Sequence, residues 1–249
     1  MRTVLAVATR ELGEAFDSPV SWVAFPLFAL TQLVAFYVLG HPIGELDLHG
    51  LWAGGQASLD VLFAWLPLSF ALLAPALTMG AWAEEARAGT DELLLSHPVS
   101  VRSLVWGKFL AAWLLLAGMA TALILATAFQ VARLGPLDPG TVVAGLVGTW
   151  ALAAASVAVG LCASASTRDE LVSYLVAALL LGGLWSAALF VRSAPPALAE
   201  VLWYASPALH FQESAARGLL DVRDLVYFGL FAFLATVLNV ALVEGRRRR

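Results

Sequence analysis

Apolar residues run along this chain in long blocks separated by short polar gaps. Six blocks stand out, at roughly 20–39, 61–83, 104–132, 141–165, 171–191 and 225–243. A helix rises about 1.5 Å per residue and the hydrocarbon core of a bilayer is about 30 Å thick, so ~20 mostly apolar residues cross it. Each block therefore predicts one transmembrane helix. Barrel strands would alternate polar and apolar positions over about 10 residues, and these blocks are too long and too uniformly apolar for that. The expected fold class is an all-α membrane protein with six spans in a single transmembrane domain over residues 1–249.

Segment 2–17 has another pattern. Leu5, Ala8, Leu12 and Phe16 recur at helical spacing, and Thr3, Arg10, Glu14 and Asp17 fall on the opposite side. That predicts an amphipathic helix lying in the membrane interface. Asp17-Ser18-Pro19 then reads as a new helix start, with a capping side chain followed by proline in the first turn.

The gap at 84–103, EEARAGTDELLLSHPVSVRS, is the most informative polar stretch. Glu84, Glu85 and Arg87 carry the second span into water, and Gly89 ends it. Thr90 or Asp91 can cap a short helix that runs to Ser96, Pro98 stops that helix, and Ser100 can cap the third span. Leu93, Leu94 and Leu95 in a row cannot all be hidden within one short helix. They must press on the membrane or on another protein. The gap at 192–224 is long. Pro195-Pro196 stops span five, residues 198–204 are apolar with Trp203 and Tyr204, Pro207 opens a second short helix through Arg217, and Gly218 can end it. These segments are expected to cap the outer face, with the first re-entering the interface.

Composition agrees with the pattern. The chain is 61% hydrophobic and 13% charged, where a soluble domain has about 45–50% and about 25%. Charge position gives orientation. With the N-terminus inside, the inner segments hold Arg2, Arg10, Arg87, Arg102, Lys108, Arg168 and Arg246 to Arg249, ten in all, against Arg133, Arg192, Arg217 and Arg223 outside. The positive-inside rule then predicts both termini in the cytoplasm. The terminal arginine run reads as a solvated anchor rather than a nucleic-acid site. No cleavable signal peptide is visible in the first eighteen residues, so the first span is expected to act as its own insertion signal.

Candidate chemistry is sparse. GxSxG, HExxH and GxxxxGK[ST] do not occur, so hydrolysis by a P-loop is not expected of this chain. One cysteine, Cys162, excludes an internal disulfide framework, and three methionines leave no soft-metal conduit. His41 and His49 read as solvated loop residues, and no metal site is expected. Charges are nearly absent from the spans, which argues against ion coupling within this chain. Pro26, Pro67 and Pro75 are expected to kink the first two spans. The uncharged polar residues Gln32, Tyr37, Thr78, Gln130 and Asn239 are the candidates for lining a pathway, with interhelical hydrogen bonding as the alternative for each.

The stretch GTDELLLSHPVS (89–100), followed by Leu104, Gly107, Lys108 and Phe109, resembles the cytoplasmic loop of ABC-2 type transporter permeases. RELGEAFDSPVSW near the N-terminus is similar to the family's elbow helix. SPALHFQESAARGLLDVRDLVYF (206–228) resembles a stretch of the gliding-motility-type permeases. The resemblance runs through the whole chain in order. It implies the transmembrane subunit of an ATP-binding-cassette exporter in the bacterial inner membrane, without catalysis of its own. A separate ATPase subunit would bind ATP and Mg, and a second permease subunit, the same or a related chain, would complete the pathway. A periplasmic accessory subunit is a further partner compatible with it. Carried over residue by residue, Glu85, Arg87, Gly89, Thr90, Asp91, Glu92, Leu93 and Leu94 fall on the ATPase-coupling loop, and Arg10, Glu11 and Phe16 on the elbow. Asp91 and His97 stand where the family pattern is loose. The alternative class is a membrane-embedded scaffold in a motility or secretion complex, which would bind partners through the same loop and transport nothing.

Overall fold

A computed structural model describes residues 2–40, 42, 58–89, 100–191 and 193–247. Every regular element among them is helical. Six helices are long and apolar enough to cross a membrane: Pro19–Leu39, Asp60–Ala88, Val101–Val131, Pro139–Ser166, Glu170–Phe190 and Val222–Arg246. These are spans one to six. Each matches a block expected from the sequence and extends it by a few residues at one or both ends, except that spans three and five stop one residue short. Spans two and four form the centre, with 67% and 61% of their apolar windows buried, whereas spans one, five and six bury 28% each and leave the rest for lipid.

Local chemistry sets the helix ends. Ser18 caps span one by accepting the Val20 N–H, with Pro19 in the first turn. Ser100 caps span three by accepting the Ser103 N–H, and Asp138 and Asp169 cap spans four and five in the same way. Gly89 closes span two at φ +70°, a left-handed conformation that favours glycine, and its N–H returns to the Glu85 carbonyl. Span one finishes in a π-helical turn, Ala35–Leu39.

Pro26, Pro67 and Pro75 lie inside the helices of spans one and two. Span two runs as two segments, Asp60–Thr78 and Gly80–Ala88, joined at Met79. Ser164 of span four is fully buried against this joint. Its Oγ accepts the N–H groups of Trp82 (3.0 Å) and Ala83 (3.2 Å) and donates to the Met79 carbonyl at 2.8 Å. In lipid a helix joint is tolerated where a neighbouring hydroxyl satisfies its backbone groups. The clip fixes how the end of span two leaves the bundle.

The N-terminal helix, Arg2–Asp17, packs on the start of span three. Its orientation differs from the two-faced expectation. Ala8 is buried, but Leu5 and Phe16 are each 58% exposed. The face turned to span three carries Val4, Val7, Ala8 and Glu11. The helix therefore has three faces: one against protein, one apolar and exposed, and one polar with Arg10 and Glu14. The periodicity concealed this because Glu11, a charged residue, belongs to the packed face.

At the opposite end, two short helices, Pro196–Ala205 and Pro207–Glu213, lie between spans five and six. The first buries none of its residues. The second buries Pro207, Ala208, His210 and Phe211, and Phe211 meets Phe63 of span two edge-on at 6.3 Å. A 3-10 turn, Ala215–Arg217, follows and ends at Gly218.

Candidate functional site

Three elements converge at one end of the bundle: the N-terminal helix, the end of span two and the start of span three. Lys108 sits at their centre. Only 4% of its side chain is exposed. Its Nζ donates to Glu11 Oε1 at 2.8 Å and to Glu85 Oε1 at 2.9 Å, and stands 5.1 Å from the centre of the Trp82 ring. Span three is 31 residues long. At about 1.5 Å per residue that is some 46 Å, longer than the about 30 Å needed to cross a hydrocarbon core. Lys108 lies in the third turn of this helix, enclosed by two carboxylates. Lys108, counted from the sequence among the inner-side cations, is a buried charge near the start of a spanning helix. It was visible as the single charged residue between 104 and 132.

Gly107 explains how the elements come so close. A β-carbon at that position would stand 2.5 Å from Val7 Cγ1 and 3.2 Å from the Val4 carbonyl oxygen. The missing side chain lets the N-terminal helix touch the backbone of span three, and the next residue closes the ion pairs. The Gly-Lys step thus has a mechanical reading. Removing one partner from a buried ion pair costs about 3–5 kcal/mol, because the other charge is left without compensation. The arrangement therefore holds three elements in one geometry.

The surrounding charges extend the network. Arg87, near the end of span two, bonds Glu170 at the start of span five at 2.6 Å. Arg246 Nη2 donates to the Thr167 carbonyl at 2.7 Å, joining span six to the turn between spans four and five. Arg10 donates to Glu14 at 2.7 Å, and that hydrogen bond raises the guanidinium pKa above its ordinary value. A cavity of about 410 Å³ opens between the N-terminal helix and the ends of spans two and five.

The expected coupling residues divide. Glu85, Arg87 and Gly89 lie at this junction. Thr90, Asp91, Glu92, Leu93 and Leu94, with the short helix expected there, lie outside the described residues. On the N-terminal helix, Glu11 reaches Lys108, Arg10 stays on the polar face, and the Phe16 carbonyl accepts Trp22 Nε1 at 2.7 Å. Sequence reasoning placed Glu11 and Glu85 on separate segments and did not give Lys108 a role. His41 and His49 are also outside the described residues. Among the described residues, no group of three or more His, Cys, Asp or Glu side chains could hold a metal ion.

The five polar residues considered for a pathway do not converge. Gln32 Nε2 donates to Ser69 Oγ at 2.9 Å between spans one and two. Tyr37 donates to Gln130 Oε1 at 2.7 Å between spans one and three, the one pair among the five that meets. Thr78 bonds back to the Ala74 carbonyl. Asn239 of span six is buried, and neither atom of its amide has a hydrogen-bond partner among the described residues.

Six apolar spans with a charged junction at one end define a multi-pass membrane protein. Residues 5–215 match the ABC-2 family transporter protein family, and the chain belongs to that family. No curated protein matches the chain.

Proposed function

We propose that this chain is the transmembrane subunit of an ATP-binding-cassette exporter, driven by a separate ATPase that binds ATP and Mg. The observation that carries this reading is Lys108, which ties the N-terminal helix to the end of span two and the start of span three. A push on the N-terminal helix would thereby be passed to both spans at once. Family membership supports the class. Pairing with a second permease subunit would complete the pathway.

In this reading both termini face the cytoplasm of a bacterial inner membrane, and the N-terminal helix acts as the elbow. Its exposed Leu5 and Phe16 would lie in the inner leaflet. The motif shared with the gliding-motility-type permeases supports that subtype, and two of its residues, His210 and Asp224, pair at 2.8 Å in the cap. A periplasmic subunit would meet this cap.

The test is co-purification. A tag on this chain should bring down a P-loop ATPase from native membranes. Glu92→Lys and Leu94→Asp should each lose the ATPase or its stimulated hydrolysis while the permease keeps its thermal stability. Survival of both properties in both variants would rule out docking at that loop.

A further inference from the structure

We propose that the last segment of span two, Gly80–Ala88, is a lever that pivots at Met79 into the neighbouring cavity, with the Ser164 hydroxyl as its latch. The lever is a property of this chain alone and does not depend on the ATPase reading.

The joint has two ways to satisfy its backbone. An uninterrupted α-helix would carry the Trp82 N–H to the Thr78 carbonyl and the Ala83 N–H to the Met79 carbonyl. The helix breaks at Met79, and both N–H groups donate to Ser164 Oγ, which itself donates to the Met79 carbonyl. A side chain standing in the i→i−4 ladder is one of the few causes of a sharp bend. The same groups can bond along the helix once the hydroxyl is withdrawn, so neither position leaves them bare in the membrane. Just before the joint span two is held fast. Thr78 is fully buried, and a β-carbon at Gly160 of span four would overlap its hydroxyl. That contact is the fulcrum.

Beyond the joint the surroundings are uneven. Segment Gly80–Ala88 packs on spans four and five. Toward the N-terminal helix and span three lies the cavity of about 410 Å³, walled by Met79, Gly80 and Ala81 of span two, Ala15 of the N-terminal helix, and Ala112 and Leu115 of span three. The lever therefore has room on that side. Its tip is tied twice. Glu85 bonds the buried Lys108 at 2.9 Å, and Arg87 bonds Glu170 of span five at 2.6 Å. The Arg87 side chain is 62% exposed, against 4% for Lys108. Water screens the exposed pair, so it yields before the buried one. A displacement of Lys108 with the N-terminal helix then draws the lever off span five and into the cavity.

Spin labels on Asp17→Cys and Ala88→Cys, in a Cys162→Ser background, report this motion by double electron–electron resonance on the full-length chain in nanodiscs. The lever is 9 residues long. At about 1.5 Å per residue, a change of about 20° at the joint moves its tip about 5 Å. The wild type should show one distance. Ser164→Ala should add a population shorter by about that 5 Å, because only the latched position loses its bonds. Arg87→Glu sets like charges beside Glu170 and should add the same population without touching the latch. It lies at an exposed site, so it carries the test if thermal melting shows that Ser164→Ala fails to fold. Ala112→Phe, which fills the cavity, should remove the shorter distance from both variants. An unchanged single distance in the folded variants, or a shorter distance that survives Ala112→Phe, would overturn the lever.

Discussion

Lys108 Nζ lies 2.8 Å from Glu11 Oε1, an ion pair between the third span and the N-terminal helix across 97 positions of sequence. With Glu85 as the second acceptor, the lysine joins three elements of the bundle. Hydrophobic packing between helices is weak as a source of geometry in a membrane, because lipid tails are as apolar as the side chains. A buried charge with two partners fixes direction as well as distance.

Lys108→Met should therefore lower stability by about 3–5 kcal/mol, since two carboxylates lose their counter-charge. Adding Glu11→Gln and Glu85→Gln to that variant should recover most of the loss, because no uncompensated charge remains. Thermal melting of the purified protein distinguishes the two. Equal melting of the single and triple variants would mean that the charges do not interact as a unit.

Gly107→Ala should displace the N-terminal helix. The new methyl group would meet Val7 at both Cβ and Cγ1, and the Val4 carbonyl oxygen as well, so rotation of one side chain gives no relief. Overpacking of this kind costs about 1–3 kcal/mol. Limited proteolysis should cut within residues 2–17 faster than in the wild type. An unchanged cleavage rate would place the helix contact elsewhere.

Ser164→Ala removes an acceptor for two backbone N–H groups and a donor to a third backbone group, all at the Met79 joint. Each unsatisfied buried group costs about 1–3 kcal/mol, so a loss at the upper end of that range or above is expected. Hydrogen exchange should rise at Trp82 and Ala83 before it rises in the rest of span two. Uniform exchange along the span would contradict the clip.

Much of the fold was legible because its signals are local. Twenty apolar residues in a row identify a span wherever they occur. Ser18-Pro19, Ser100 and Gly89 mark helix ends through bonds that reach no more than four residues. The junction was not legible in the same way. Lys108 reaches one partner 97 positions away and another 23 positions away, and Ser164 reaches across more than 80. No periodicity encodes such pairings. A partial signal existed: a lone lysine in an apolar run requires a counter-charge, and Glu11 breaks an otherwise apolar stripe of Val4, Val7 and Ala8. The elbow pattern was read as two faces because the rule for amphipathic helices assigns charged residues to solvent. Here one of them faces a buried lysine.

The most direct test of an ATPase-driven permease is ATP turnover by the complex purified through this chain, comparing wild type with Glu11→Ala. That variant leaves Lys108 its bond to Glu85, so the fold should persist with a modest loss of stability. An ATPase should accompany both proteins in the same amount, and turnover should fall about tenfold in Glu11→Ala, a change of ~1.4 kcal/mol in the barrier. Absence of any ATPase from the wild-type complex, or wild-type turnover in the variant, would contradict the coupling role of this junction.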